Sequence, residues 1–232
     1  MSEPKPVPSV TPLPEWTPRP EPERVTLRGR YVELRPLSSA HYAELFAATC
    51  GPEDAELWDY LPAEAPGALS SFWMLMAGIV EEAPTTYAIV PLEGERAGQP
   101  TGTFSLLAID PAHGSVEIGW VLFGRALQRT RAATEAVHLL QAYCLDELGY
   151  RRLEWKCNAA NEPSRAAAAR FGFTYEGRFR SHRVVKGRNR DTDWFSIIDG
   201  EWPALRTAHE AWLDPANFDA AGSQIKALKA FT

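Results

Sequence analysis

The stretch from Ser115 to Leu148 constrains the fold more than any other. A strand-like run, Ser115 to Phe123, passes through a basic turn carrying Arg125, Arg129 and Arg131 and opens directly into a long amphipathic helix. Val137, Leu140, Cys144 and Leu148 recur at helical spacing and Gly149 supplies the stop, so the helix is expected over about Arg131 to Leu148. Two further strands precede it, Thr86 to Pro91 and Thr101 to Ile109. Glu93-Gly94 and Pro111 to Gly114 serve as turns, which predicts an antiparallel meander. The first backbone N–H groups of a helix lack intrahelical partners, and the helix dipole adds positive charge there. The basic turn is therefore an anion site, and phosphate is its natural guest. Three arginines in one turn stand out in a chain of net charge -6.

The remaining elements follow from periodicity and caps. Val25 to Leu37 reads as a strand pair or one bent strand. Ser38 caps a helix carrying Tyr42, Leu45 and Phe46, and a second helix covers about Ala68 to Glu82. Arg152 to Cys157 is a strand with Leu153, Trp155 and Cys157 on one face. Asn161 caps a short helix with Pro163 in its first turn and Gly172 at its end. Phe173 to Arg180 and Thr192 to Ile198 form a last strand pair, and Trp202 to Leu213 a last helix. The domains expected are a proline-rich disordered tail over 1–24, which holds eight of the nineteen prolines, one folded domain over 25–200, and a C-terminal helix and tail over 201–232.

Composition narrows the function. A pI near 5.5 argues against nonspecific nucleic-acid binding. No apolar run approaches a membrane span, and the N-terminus lacks a signal pattern. Cys50, Cys144 and Cys157 are widely spaced and read as reduced thiols of a cytoplasmic protein, with no zinc spacing and no metal implied. Neither GxGxxG, GxxxxGK[ST] nor GxSxG occurs. The five histidines lie in different elements without partner spacing and read as core or surface residues.

The element order, β, α, α, three strands, α, β, α, β, β, resembles the GNAT (GCN5-related) N-acyltransferase superfamily from about Leu27 to Ile198. The resemblance implies an α/β (α+β) fold: a mixed, mostly antiparallel central sheet with helices on both faces, splayed between the family's fourth and fifth strands. The family's loop Q/R-x-x-G-x-G/A is matched by Gln128, Arg129, Thr130, Arg131, Ala132 and Ala133, with Arg131 in place of the central Gly. By resemblance its amides cradle the pyrophosphate of acetyl-CoA; Arg131 either obstructs close approach of the backbone or adds charge there, and the second is expected. Asn158-Ala159-Ala160-Asn161-Glu162-Pro163-Ser164-Arg165, followed by a helix and Gly172-Phe173, is similar to the RimJ/RimL-type ribosomal-protein N-terminal acetyltransferases.

This resemblance implies that Asn161 and Arg165 lie at the acetyl-CoA site, and that Ser164 stabilises the departing thiolate by a hydrogen bond. It also implies that Val121 and Phe123 pair their ladder groups with pantetheine amides. Glu117 is expected to take the proton from the acceptor amine. Asn161 and Ser164 also suit helix caps, and Glu33 and Glu154 read as structural. Trp58, Tyr60, Phe72 and Trp73 fit core packing better than an acceptor pocket. The implied partners are acetyl-CoA and a primary amine, on a protein N-terminus or a small molecule, with no nucleic acid and no membrane. A homodimer is compatible with the type. The alternatives are a small-amine or succinyl-type acyltransferase, and a non-catalytic acyl-CoA-binding module.

Overall fold

A computed structural model describes residues 12–220 and 222–231. Eight strands form one sheet: β1 (Leu27–Arg28), β2 (Val32–Pro36), β3 (Thr86–Pro91), β4 (Gly102–Asp110), β5 (Ser115–Phe123), β6 (Arg152–Asn158), β7 (Thr174–Val185) and β8 (Arg188–Ile198). Their spatial order is β1-β2-β3-β4-β5-β6-β8-β7, and only β5 and β6 run parallel. That parallel step needs a crossover, and α3 (Arg131–Ala142) provides it. The mixed, mostly antiparallel sheet matches the expectation.

Alternation along the strands sorts the side chains into two layers. Val32, Leu34, Tyr87, Ile89, Phe104, Leu106, Val116 and Ile118 pack with the apolar stripe of α3, which includes Ala136, Val137 and Leu140. Ala88, Val90 and Leu122 pack on the opposite face with α1 (Tyr42–Thr49) and α2 (Leu69–Glu82). Trp58 and Phe72 are fully buried there, as core packing requires, whereas Tyr60 and Trp73 remain exposed.

One polar contact fixes α3 against the sheet. The buried Glu135 carboxylate accepts the backbone N–H groups of Arg30 (2.9 Å), Tyr31 (2.6 Å) and Val32 (3.0 Å). It thereby satisfies the whole β1–β2 turn from the neighbouring helix. Burial raises the carboxyl's pKa, and the three amides oppose that shift. A Cβ on Gly29 would overlap the Glu135 carboxylate, so the turn tolerates only glycine there.

Four segments differ from the sequence reading. The α3 helix stops at Ala142 and continues as a π turn over Tyr143–Glu147, closed by Leu148 N–H on the Tyr143 carbonyl (3.0 Å). The β7–β8 hairpin is far longer than expected. Lys186 and Gly187 both have positive φ (50° and 69°), the geometry of a two-residue primed turn, so pairing runs through a polar, arginine-rich stretch. Residues 12–24 are extended, as their prolines demand, but not loose. Arg19 N–H donates to the Pro111 carbonyl (2.9 Å), the Trp16 indole to Ala112 (2.9 Å), and the Tyr150 hydroxyl to Pro20 (3.2 Å). Residues 1–11 of that expected tail lie outside the described residues. The C-terminal tail also packs: Leu228 is buried, and the Phe218 ring meets Trp212 (5.1 Å) and Tyr31 (5.9 Å) edge-on.

Two histidines that sequence spacing kept apart come together under α5 (Trp202–Leu213). The His138 and His209 rings lie 5.5 Å apart, with Trp202 5.7 Å from His138. His209 is fully buried, and neither ring nitrogen has a partner among the described residues. Burial first, then His138, lowers its pKa to about 3 from the ordinary 6.5. Unfolded chains take up this proton as pH falls below 6.5, and the folded chain does not until about 3. Stability is therefore expected to fall with acidification across that window. His209→Phe should flatten the pH dependence of the melting temperature, and an unchanged slope would show that His209 does not drive it.

Candidate active site

The sheet divides in its middle. β5 and β6 pair from Ser115↔Arg152 to Ile118↔Trp155, and no further. Beyond that point β5 continues to Phe123 and β6 to Asn158 without touching. The cause lies in β5. Its register to β4 slips between Ser105↔Gly119 and Thr103↔Leu122, which inserts one extra residue, and Trp120 takes the left-handed conformation (φ 50°). A bulge of this kind bends a strand and strengthens its twist, here away from β6. A Cβ on Gly119 would sit 2.5 Å from Leu107 Cδ1 and 3.3 Å from Glu117 Oε1, so glycine keeps the start of the opening clear. Val121 and Phe123 therefore lie on a strand paired only towards β4. The Phe123 carbonyl is taken by the Gln128 side-chain amide (2.9 Å).

The loop after β5 leads into the N-terminus of α3. Thr130 is the N-cap: its Oγ1 accepts Ala133 N–H (3.1 Å) and donates to the Leu127 carbonyl (2.7 Å). Arg129 has positive φ (62°). The amides of Arg129, Arg131 and Ala132 have no intramolecular partner among the described residues. The three arginines, expected to act alike, do not. Arg125 ties down the α1–α2 loop through Asp54 Oδ1 (3.1 Å) and Glu56 Oε1 (2.5 Å). The Arg131 guanidinium is bidentate to Glu93 and stacks on Tyr31 (4.3 Å) and Phe218 (5.0 Å). Its charge is shared with Glu93, so the side chain offers an anion less than the role expected of it, beside its backbone amide. Arg129 is exposed and has no ion pair among the described residues.

Glu117 projects from β5 onto the sheet face that carries α1 and α2 further along. Its Oε2 accepts from Lys156 Nζ (2.9 Å), which also reaches Glu154 Oε2 (2.7 Å) and lies 4.1 Å from the Trp194 ring centroid. Burial raises the Glu117 pKa, and the Lys156 hydrogen bond and charge oppose that shift. Glu154 is also desolvated, but hydrogen bonds from Lys156 and Arg152 outweigh this and lower its pKa. Sequence reading missed Lys156. Its alternation with Trp155 and Cys157 was the available signal, since it placed Lys156 on the same face as Glu154.

On the other side of β6, α4 (Glu162–Arg170) begins with Asn161 as N-cap, its Oδ1 accepting Ser164 N–H (3.0 Å). Ser164 Oγ accepts the Trp155 indole N–H (3.0 Å). Arg165 pairs with the fully buried Asp193 (2.9 Å), which Arg178 also clamps with two hydrogen bonds. Ser164 and Glu117 thus flank the β5/β6 junction from opposite faces, while Arg165 anchors α4. No cluster of three metal-ligating side chains occurs among the described residues, and none of their helices is long and apolar enough to cross a membrane.

The model of the acetyltransferase (GNAT) domain matches residues 32–174. The chain belongs to this family. A solved GCN5-related N-acetyltransferase from Brucella melitensis has 45% identity and a TM-score of 0.89, over 94% of this chain and 99% of that one. A GNAT-family protein solved from Chromobacterium violaceum has 40% identity and a TM-score of 0.77, over 87% and 100%. A Bacillus subtilis protein provisionally assigned as the ribosomal N-acetyltransferase YdaF is 30% identical over 105 residues, 45% of this chain and 57% of its own. The N-acetyltransferase p20 of Bacillus licheniformis, itself uncharacterised, is 35% identical over 101 residues, 44% and 56%. The chain spans little more than half the length of these two curated relatives.

Proposed function

We propose that the protein moves an acetyl group from acetyl-CoA to a primary amine by direct attack in a ternary complex. The divided sheet carries this reading. A half-open β5 edge runs from an amide-lined helix N-terminus to a desolvated carboxylate, a track for an extended, amide-bearing arm with phosphate at one end. Acetyl-CoA supplies an activated thioester and such an arm. The free amides of Arg129, Arg131 and Ala132, with the Arg129 side chain, suit its pyrophosphate, while Gln128, Thr130 and Ala133 shape the loop. Val121 and Phe123 present the strand edge, and Asn161 borders it from α4.

Glu117 removes a proton from the incoming ammonium, since only the free amine attacks a thioester. Ser164 places a hydroxyl where negative charge grows on the departing sulfur. Arg165 positions α4 through Asp193. The three free cysteines fit a reducing, cytoplasmic setting. The kinship with the provisionally assigned ribosomal acetyltransferase supports a RimJ/RimL-like acceptor, a protein N-terminus or a small amine. The pairing of Arg131 with Glu93 supports the catalytic reading over a non-catalytic acyl-CoA-binding module in which Arg131 obstructs the loop.

Calorimetric titration with acetyl-CoA, beside CoA and ATP, tests the cofactor side. Saturable acetyl-CoA binding is expected, weakened about tenfold in Arg129→Ala by loss of one charged phosphate contact. Absence of binding at millimolar acetyl-CoA would overturn the reading.

A further inference from the structure

The acceptor face holds one cation that nothing in the fold explains. Arg190 lies on β8 with the side-chain alternation of Thr192, Trp194 and Ser196. Trp194 stands opposite Lys156 and Thr192 opposite Asn158, the last residue of β6. Arg190 therefore continues the Glu117–Lys156–Trp194 face by one step, past the end of β6, with Arg183 of β7 as its register partner.

Most other cations around it are committed. Arg178 clamps Asp193. Lys186 bonds the Trp58 carbonyl (2.9 Å) and Glu64 (3.2 Å). Lys156 is held between Glu117 and Glu154, and Arg152 between Glu154 and Glu176. Arg190 is half-buried, yet it has no ion pair and no hydrogen bond among the described residues, and its Nε is shut off from solvent without an acceptor. Burial lowers its pKa, the like charge of Arg183 adds to this, and the Glu117 carboxylate opposes it. Desolvating a guanidinium beside another one is unfavourable unless an anion joins them. Beside them, His182 is hydrogen-bonded to Thr192 Oγ1 (3.0 Å), and its ring lies 5.5 Å from Phe179 and 6.2 Å from Trp194. This adds a flat, apolar wall next to the two arginines.

Resting on the acyl-transfer reading above, we propose that the acceptor carries an anionic group, carboxylate or phosphate, beside its amine, and that Arg190 with Arg183 receives it. The amine then faces Glu117, which shares Lys156 with Glu154, so that the unpaired positive charge lies at Arg190 and Arg183. A polycationic acceptor would meet repulsion from both. Charge placement alone is at issue, so a peptide with an acidic second residue and a small phosphorylated amine satisfy it equally.

The experiment separates these sources. Thiol release at saturating acetyl-CoA is measured with matched acceptors: Ser-Glu against Ser-Gln peptides, and O-phosphoethanolamine against ethanolamine, with spermidine as the cationic case. The wild type should favour the anionic member of at least one pair by about tenfold in kcat/KM, carried by KM. The pair that shows it names the source. Arg190→Gln should bring the ratio towards one, Arg190→Lys should restore part of it, and neither should melt below the wild type, because an uncompensated charge is being removed or kept. Equal kcat/KM within both pairs, a ratio that survives Arg190→Gln, or a preference for spermidine overturns the proposal and leaves acyl transfer standing. No thiol release with any acceptor overturns acyl transfer itself, and this proposal with it.

Discussion

Glu117→Ala is expected to lower kcat by about a hundred- to ten-thousandfold, the range for losing a positioned proton acceptor. Retained turnover would remove Glu117 from the mechanism. Its pH profile gives a sharper test than the rate alone. The carboxylate must be ionised to accept a proton, so activity rises with pH through its pKa. Burial moves that pKa up, which places the acid limb above the ordinary glutamate range, and Lys156 restrains the shift. Lys156→Met should therefore move the limb to still higher pH, while Glu117→Gln should abolish it. A limb at the usual carboxylate position that ignores Lys156 would assign the titration to another group. Ser164→Ala should act differently, slowing turnover without moving the limb. It also frees the Trp155 indole N–H, so its folding must be checked by melting.

The largest effect on stability is expected at Glu135, far from the chemistry. Glu135→Ala would strip three backbone N–H groups of the β1–β2 turn of their acceptor and leave them desolvated. At about 1 kcal/mol or more for each, the loss is roughly 3 to 5 kcal/mol. Against a total of about 5 to 15 kcal/mol for a typical domain, that amounts to roughly 10 °C in melting temperature. Glu135→Gln should recover only part of this, because its amide nitrogen meets an N–H where an acceptor is required. Thermal unfolding followed by circular dichroism decides, and a shift of less than about 2 °C would mean that water replaces the carboxylate.

The difference between these two glutamates also marks how far the residues alone could be read. The path from β5 through the basic turn into α3 was legible because strand alternation, helix spacing and capping signals are all local. The Asn161 cap and the meander were legible for the same reason. Side-chain commitments were not. Arg125, Arg129 and Arg131 look equivalent in a turn, and only the arrival of Glu93, Tyr31 and Asp54 from distant strands and loops distinguishes them. Alternation puts Lys156 on the face of Glu154, but its bond to Glu117 spans 39 residues and that of Glu135 to the β1–β2 turn more than 100, and no local pattern carries either. The long hairpin was cut short because its tip carries arginines where strands normally carry β-branched residues. Arg178, Arg180, Arg183, Lys186, Arg188 and Arg190 crowd thirteen positions of an acidic protein, a compositional signal that was there to be read.

The divided sheet gives the fold an edge in its interior. Strand edges at the rim of a protein invite other chains, and natural sequences blunt them with charge, proline or bulges. Here the exposed ladder lies between two strands that diverge from a common root, so a second protein's strand meets a wedge instead of an open border. Room beside β5 shrinks towards Ile118 and Trp155, where the two strands meet, and grows towards the α3 end. An edge that the outer rim of a sheet would leave open to any strand is thus framed on both sides by the same sheet, and one additional residue in β5 is enough to make it.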